Sequence, residues 1–456
     1  MNSSSQQALP GFELENALDS IRNDLSNGQI NKILPEDETI HQWYRFVLSF
    51  PPHLVRSYLE DFGLLGNGGK DSVTILDPFC GTGTTIVEAK LNNVRAIGVE
   101  ANPFAHFASK IKTDWSIDPD KLLSVSKQIA NKTIAILEEQ SIDDNVIFHG
   151  EIDKENLRTL DAENARLLIK NSISSLPLHK TLTLLDVMEE YSQTPFYNHG
   201  LLALANALVY QISNLRFGPE VGVGKIKEDA PVVRNWLVEI ERIVSDLQKV
   251  RNIDYSQTEV LLADSRKLSK VLKTESIDAV ITSPPYPNEK DYSRTTRLES
   301  VILGFVNDRK ELRRLKKTFV RSNTRGVYKD DKDDVWVSDN ENVIEIAEAI
   351  EKKRIELGKT SGFEKLYSRV TKQYFGGMAR HLADLRPALR KNAKLAYVVG
   401  DQASYLKVKI RTGNIIAQIA ESLGYEVERI DLFRTRFATA TKEELNEEVV
   451  ILHWPG

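Results

Sequence analysis

The sequence predicts an α/β fold organised around a mostly parallel sheet, and three features predict it. An apolar, β-branched run at residues 277–281 ends in Thr282-Ser283-Pro284-Pro285-Tyr286. A second run, 73–76, ends in Asp77-Pro78-Phe79-Cys80-Gly81-Thr82-Gly83-Thr84 and leads into a helical pattern at 86–91. The last part of the chain finishes in two strand-like runs, 425–433 and 448–454, that read as a hairpin. Short continuous apolar runs bounded by turn residues mark strands buried on both faces.

Each strand end carries chemistry. Glycines let a backbone approach a ligand closely where a helix begins. A dinucleotide fingerprint needs a third glycine three residues after Gly83, and Ile86 stands there instead, which disfavours a nicotinamide site. The next strand, 94–99, ends in Glu100. A carboxylate about 20 residues beyond such a turn is placed to accept hydrogen bonds from ribose hydroxyls. A third strand, 259–263, ends in Asp264, and the strand 277–281 follows. Two consecutive prolines end that strand, because neither can donate to a ladder and each fixes its own φ. The stiff turn presents a hydroxyl, exposed carbonyls and a ring where ligands bind in open α/β sheets. It suits a planar heterocycle held by its exocyclic amine. A plain Pro-Pro turn with a surface tyrosine is the bland alternative, and the series of four strand ends argues against it.

Two segments exceed what such a sheet needs. More than 150 residues separate Glu100 from Asp264. Leu122, Val125, Ile129 and Ile136 fall at helical spacing with Thr133 as a polar break, and Val233, Trp236, Ile240 and Ile243 do so unbroken, so this insertion is mostly helical. Its glycine-rich stretch at 217–225 reads as a plain connection or a mobile lid. The second insertion begins near Val306. From 288 to 329 the chain carries twelve Lys or Arg against five acids, a net of +7 directly after the Pro-Pro turn. A solvated helix face is the usual fate of such a run, and its position favours phosphate contact. Residues 330–334 read as an exposed turn rather than a metal site, and a charged helix follows at 342–357. Beyond it come a helix at 382–389, a strand at 395–399 and a helix at 415–423 stopped by Gly424. A terminal hairpin with an antiparallel edge strand closes the sheet.

Composition narrows the class. With 456 residues, 41% hydrophobic and 27% charged, the chain reads as soluble and globular. The polar start has no basic stretch followed by an apolar core, and no apolar run is long enough for a bilayer, so a cytoplasmic location is expected. One short helix is expected around 13–25. A net charge of −5 argues mildly against a nucleic-acid partner, so the distribution of charge matters more than its total. One cysteine excludes a disulfide framework within the chain and a cysteine-rich zinc site, and no metal is expected.

With both motifs in view, the chain resembles the S-adenosylmethionine-dependent methyltransferases that modify exocyclic amines of DNA bases. Asp77-Pro78-Phe79-Cys80-Gly81-Thr82-Gly83 is similar to their cofactor loop, and Thr282-Ser283-Pro284-Pro285-Tyr286 to their catalytic motif in its cytosine-N4 form. The adenine-N6 branch usually has Asp or Asn in place of Ser283. The resemblance covers roughly 40–112, 255–305 and 370–456. It implies a class I methyltransferase (Rossmann-like) fold: a mixed seven-stranded sheet with an antiparallel C-terminal hairpin, plus helical insertions. It implies S-adenosylmethionine held by Asp77, Pro78, Phe79, Gly81, Gly83, Thr84 and Glu100, with Asp264 facing the adenine. Ser283, Pro284, Pro285 and Tyr286 would hold the target base. The segment from His41 to His53 looks like the family's amino-terminal motif, which closes over the methionine end. Double-stranded DNA is the implied partner, with a cognate restriction endonuclease beside it. Arg294, Arg297, Arg313, Arg314, Lys316, Lys317, Arg321 and Arg325 are the DNA-binding candidates.

On this reading the organisation is a polar segment (1–35), a cofactor half (36–112), a helical insertion (113–254), a Ser-Pro-Pro-Tyr part (255–305), a basic insertion (306–365) that is the first choice for DNA recognition, and a C-terminal core part (366–456). Methylation of cytosine C5 needs a thiolate nucleophile, and Cys80 lies inside the cofactor turn as a small packing residue, so that reaction is excluded. Adenine-N6 methylation remains open, since one side chain separates the branches. An RNA amine methyltransferase also remains open, although such enzymes lack the serine and carry an RNA-binding domain before the core. A fold without activity that binds nucleic acid is a different class, and Asp77, Glu100, Asp264 and Ser283 argue against it.

Overall fold

The computed structural model describes residues 30–45, 49–65, 73–144, 156–218, 220–253, 255–288, 290–438 and 442–456. The helix expected around 13–25 lies outside them. Strands β1 (Thr74–Asp77) and β2 (Arg95–Glu100) come first, β3 (Leu215–Phe217) and β4 (Val221–Val223) form a separate hairpin, and β5 (Thr258–Leu262), β6 (Ile277–Thr282), β7 (Leu389–Gly400), β8 (Glu426–Ala438) and β9 (Glu443–Trp454) follow. Seven of them build one sheet in the order β5-β2-β1-β6-β7-β9-β8. The first five run parallel, and β9 pairs antiparallel with both β7 and β8. This is the mixed seven-stranded sheet expected. The hairpin is present too, with one correction: the reversed strand β9 lies inside the sheet, and the edge strand β8 runs with the rest.

Alternation along each strand sorts the core onto two faces. Leu76, Val280, Tyr397 and Val399 face one side with helices α10 (Tyr367–Leu385) and α11 (Thr412–Ser422); Ile75, Ala279, Ile281, Ala396 and Val398 face the other with α1 (Pro52–Asp61) and α2 (Thr84–Leu91). The helix expected to reach residue 389 ends at Leu385, because Pro387 cannot continue it and β7 has already begun at Leu389.

The insertion after β2 is helical, as its periodicity predicts. After α3 (Pro103–Lys112) come α4 (Pro119–Glu139), α5 (Ser175–Glu189), α6 (Tyr197–Ala207) and α7 (Val233–Val250). Thr133 is buried within the α4 stripe and donates its hydroxyl to the Ile129 carbonyl at 2.8 Å, which is why one polar residue is tolerated there. Trp236 on α7 is fully buried, its indole N–H donating to the Gly200 carbonyl at 2.9 Å. Truncating it to alanine would cost about 3–5 kcal/mol. Trp43, Tyr44, Phe104 and Leu298 share this core, so the insertion is welded to the sheet domain. The second insertion carries α8 (Arg309–Thr318) and α9 (Glu341–Glu356).

Candidate active site

The two sequence motifs meet through Asp77. Its carboxylate accepts hydrogen bonds from the Thr85 hydroxyl (2.6 Å), the Thr282 hydroxyl (2.6 Å) and the Phe79 N–H (3.0 Å). Burial raises its pKa to about 6 against the pull of these donors. Asp77 therefore ties the end of β1 to the end of β6 and is not among the residues that line the cavity. The turn that follows bends through Gly81 (φ +52°) and Gly83 (φ +89°), and a side chain on Gly83 would lie 2.4 Å from the Ser109 hydroxyl. Only glycine fits there.

Glu100 stands at the end of β2 facing that turn. Its Oε2 accepts the Gly81 N–H at 2.9 Å and its Oε1 the Asn102 N–H at 2.7 Å. Each oxygen keeps a lone pair for a further donor. Burial raises the pKa to about 7, the backbone donors opposing the rise. Asp264 is closed off: Arg266 grips it from Nε at 2.9 Å and Nη2 at 2.8 Å and continues to Asp333. Its neighbour Ser265 lines the cavity in its place, with its hydroxyl donating to the Pro78 carbonyl. Nothing in the spacing singled out Ser265.

The Pro-Pro turn emerges opposite. Ser283 donates its hydroxyl to the Val398 carbonyl on β7 at 3.2 Å, so its lone pairs stay available as acceptors. The Pro284 carbonyl accepts no hydrogen bond from any described residue. Tyr286 packs on Gly400, where a Cβ would come within 2.9 Å of its ring. Burial pushes the Tyr286 phenol well up, so it stays neutral.

All of this opens on one cavity of about 710 Å³, within the range of small-molecule sites. Phe79, Gly81, Thr84, Glu100, Ser283, Pro284, Pro285 and Tyr286 line it; Asp77, Pro78, Gly83 and Asp264 stand behind the wall. Ser49 and Phe50 from the His41–His53 segment line it too, and the tip of the β3–β4 hairpin adds Gly218 and Glu220, so the glycine stretch is a cover rather than a plain connection. Cys80 lines the wall, buried, with its thiol pushed up by burial.

The basic insertion differs from expectation. Arg321 is buried and bonded to Asp331 at 2.8 and 2.6 Å and to the Lys316 carbonyl at 2.9 Å. Arg297 bonds the Ser293 carbonyl (3.0 Å) and hydroxyl (2.8 Å), and Arg294 donates to the Val221 carbonyl at 3.3 Å. Lys316 pairs with Asp291 at 2.6 Å and Lys317 with Asp330 at 2.5 Å. Residues 330–334 are thus an ion-pair knot, with Asp333 buried between Arg266 and Arg380, and the exposed-turn expectation is corrected. Arg313, Arg314 and Arg325 remain exposed, and α8 ends on Thr318, which lines the cavity together with Phe319 and Val320. The count over 288–329 hid these pairings because Asp330 and Asp331 lie just beyond it and Asp291 lies 25 residues before Lys316.

Residues 42–110 match the family described as DNA methylase. The Type II methyltransferase M.BsoBI of Geobacillus stearothermophilus is 26% identical over 442 residues, 90% of this chain and 83% of that protein. The Type II methyltransferase M.MvaI of Kocuria varians is 26% identical over 290 residues, 59% of each chain. The Type II methyltransferase M.AvaI of a Nostoc species is 27% identical over 170 residues, 37% of this chain and 35% of that protein.

Proposed function

We propose, from its likeness to the DNA methylases over residues 42–110 and to the Type II methyltransferases, that the chain is a member of that family and transfers a methyl group from S-adenosylmethionine to the exocyclic N4 of a cytosine turned out of duplex DNA. One observation carries the reading: the Ser283-Pro284 turn and the Gly81–Glu100 corner open onto the same cavity. The relatives' Type II names support a role beside a restriction endonuclease.

The donor set fits this cofactor. Gly81 lines the approach without a side chain, Gly83 lets the turn pack closely on Ser109, and the open lone pairs of Glu100 match two ribose hydroxyls. Phe79, Thr84 and Ser265 complete the wall, with Asp77 holding the turn. When bound, S-adenosylmethionine supplies an electrophilic sulfonium methyl. The cytosine amine is a weak nucleophile because its lone pair is delocalised into the ring. The Ser283 O–H is engaged as a hydrogen-bond donor to the Val398 carbonyl, so its oxygen meets the amine as an acceptor; the Pro284 carbonyl accepts from the second amine hydrogen. Two acceptors so placed favour a tetrahedral nitrogen and free its lone pair. This is positioning and electrostatic stabilisation, without strong base catalysis. Tyr286 stacks on the ring once the base has left the duplex. Arg313, Arg314 and Arg325 are the cations of the basic insertion that this reading places on the phosphate backbone.

Nucleoside mass spectrometry of DNA incubated with the protein and a labelled methyl donor tests the reading. Label in N4-methylcytosine is expected. Label in N6-methyladenine would overturn the choice of base, and label confined to RNA the choice of substrate.

A further inference from the structure

Three cations converge on the Tyr286 side of the cavity against one described carboxylate there, Glu447, which pairs with Arg434. Lys290, four residues beyond Tyr286, lines the cavity, and so do Arg434 and Arg436 from β8. Arg434 is held through Nε by Glu447, and Arg436 donates Nη2 to the Asp401 carbonyl at 2.5 Å. Neither Lys290 nor Arg436 has a described carboxylate within ion-pair distance. Burial, and then the charge of Arg436, depress the Lys290 pKa, with Glu447 opposing.

A β-bulge aims these groups. Leu432 lies opposite Glu448 and Arg434 opposite Glu447, so Phe433 is the extra residue on β8. Bulges re-aim side chains beside active sites. Here Phe433 and Arg434, consecutive in the chain, both line the cavity, and Arg436 shares the face of Arg434. The row continues inward: Glu447 lies opposite Gly400, against which the Tyr286 ring packs. Like charges gathered in a partly desolvated cavity call for an anion.

We propose that Lys290, Arg434 and Arg436 form an anion site for the phosphodiester that flanks the extruded base; the proposal rests on the base-flipping reading above. A base that enters the pocket draws its own sugar and phosphates to the mouth, and these cations stand beside the ring it stacks on. A cofactor carboxylate is the competing anion. Strand spacing of about 4.8 Å puts β8 roughly 19 Å across the sheet from β1, on the far side from the Gly81–Glu100 corner, which favours the phosphodiester.

The test uses the full chain and a duplex carrying the sequence context in which the wild-type protein deposits methyl label; absence of label would end the underlying reading first. DNA affinity is measured against salt for wild type and for Lys290→Gln/Arg436→Gln, on this duplex and on one with neutral methylphosphonates flanking the target base. Cofactor affinity is measured in parallel. For the double variant we expect a salt slope shallower by about 1.8, two contacts at 0.9 each, unchanged cofactor affinity, and a smaller loss on the neutral duplex than the wild type shows, because only Arg434 remains to meet the phosphates. With wild-type methylation intact, an unchanged slope, or a methylphosphonate loss equal in variant and wild type, would overturn the site. So would a loss of cofactor affinity, which would assign the cations to the cofactor carboxylate.

Discussion

The basic insertion and the mouth of the cavity handle charge in opposite ways. Along the insertion, Lys316, Lys317 and Arg321 are each matched to an aspartate, with Arg321 buried against Asp331. At the cavity, Lys290 and Arg436 have no described carboxylate within ion-pair distance, the Pro284 carbonyl has no donor among the described residues, and Glu100 keeps lone pairs facing the space. Polar groups that close on one another hold a fold together, whereas groups left open define where a ligand goes. The count of lysines and arginines in a stretch of sequence does not distinguish the two.

The largest effect expected from this contrast is structural. Arg321→Ala would leave the largely covered Asp331 with the Tyr328 N–H but no counter-charge, which costs about 3–5 kcal/mol. Denaturant unfolding should show the loss, and the salt dependence of DNA binding should not change. A variant of normal stability that binds DNA poorly would break the comparison, because Arg321 would then be an open group.

Ser283→Ala sharpens the other side. Removing an acceptor that acts as the nitrogen becomes tetrahedral should lower kcat by ~10²-fold or more. One neutral hydrogen bond to Val398 is lost, so stability should fall by only about 0.5–1.5 kcal/mol. Cofactor affinity, read by calorimetry, should stay the same. A stability loss that accounts for the whole fall in activity would make Ser283 another closed group.

What was legible in the sequence follows the same line. Asp77, Gly81, Glu100 and Ser283 stand at strand ends, where buried strands, glycines and prolines announce both the geometry and the face that meets a ligand. The groups that complete the site come from elsewhere. Gly400 makes room for Tyr286 from over a hundred residues away, and Arg434 faces the cavity only because a bulge at Phe433 shifts its strand. Register shifts leave no periodic signal. Asp264 also stands at a strand end, and its pairing with Arg266 two residues on is a feature that its position there does not announce.

Glu100→Gln gives a smaller effect with a distinctive pH signature. Glutamine leaves one neutral acceptor and sets an NH2 donor against the Gly81 or Asn102 N–H, so cofactor binding should weaken by about 1–3 kcal/mol. The folded-state pKa, about 7 against an ordinary 4.5, means the folded protein keeps a proton that the unfolded chain loses. The contribution of Glu100 to stability therefore declines as pH rises from about 4.5 to about 7. Ribose donors prefer the carboxylate, so wild-type cofactor affinity should rise with pH through about 7, and the variant's should be flat over that range. A rise of equal size in the variant would take Glu100 out of the site.

The smallest effect belongs to Arg313 and Arg314, two of the four exposed cations of α8. Arg313 leans over the Tyr328 ring at 5.2 Å and Arg314 is exposed, so neither closes an ion pair. Helix α8 ends at the cavity, which puts both within the approach of a bound duplex. Exposed cations keep their water and counterions, so stability should be untouched when both are changed to glutamine. If each meets a phosphate, the slope of log affinity against log salt should become shallower by about 0.9 per contact, and cofactor binding should be unaffected. If the slope does not move, α8 is a solvated face whose partnered lysines serve the fold alone. Phosphate contact would then rest with the cations at the mouth of the cavity.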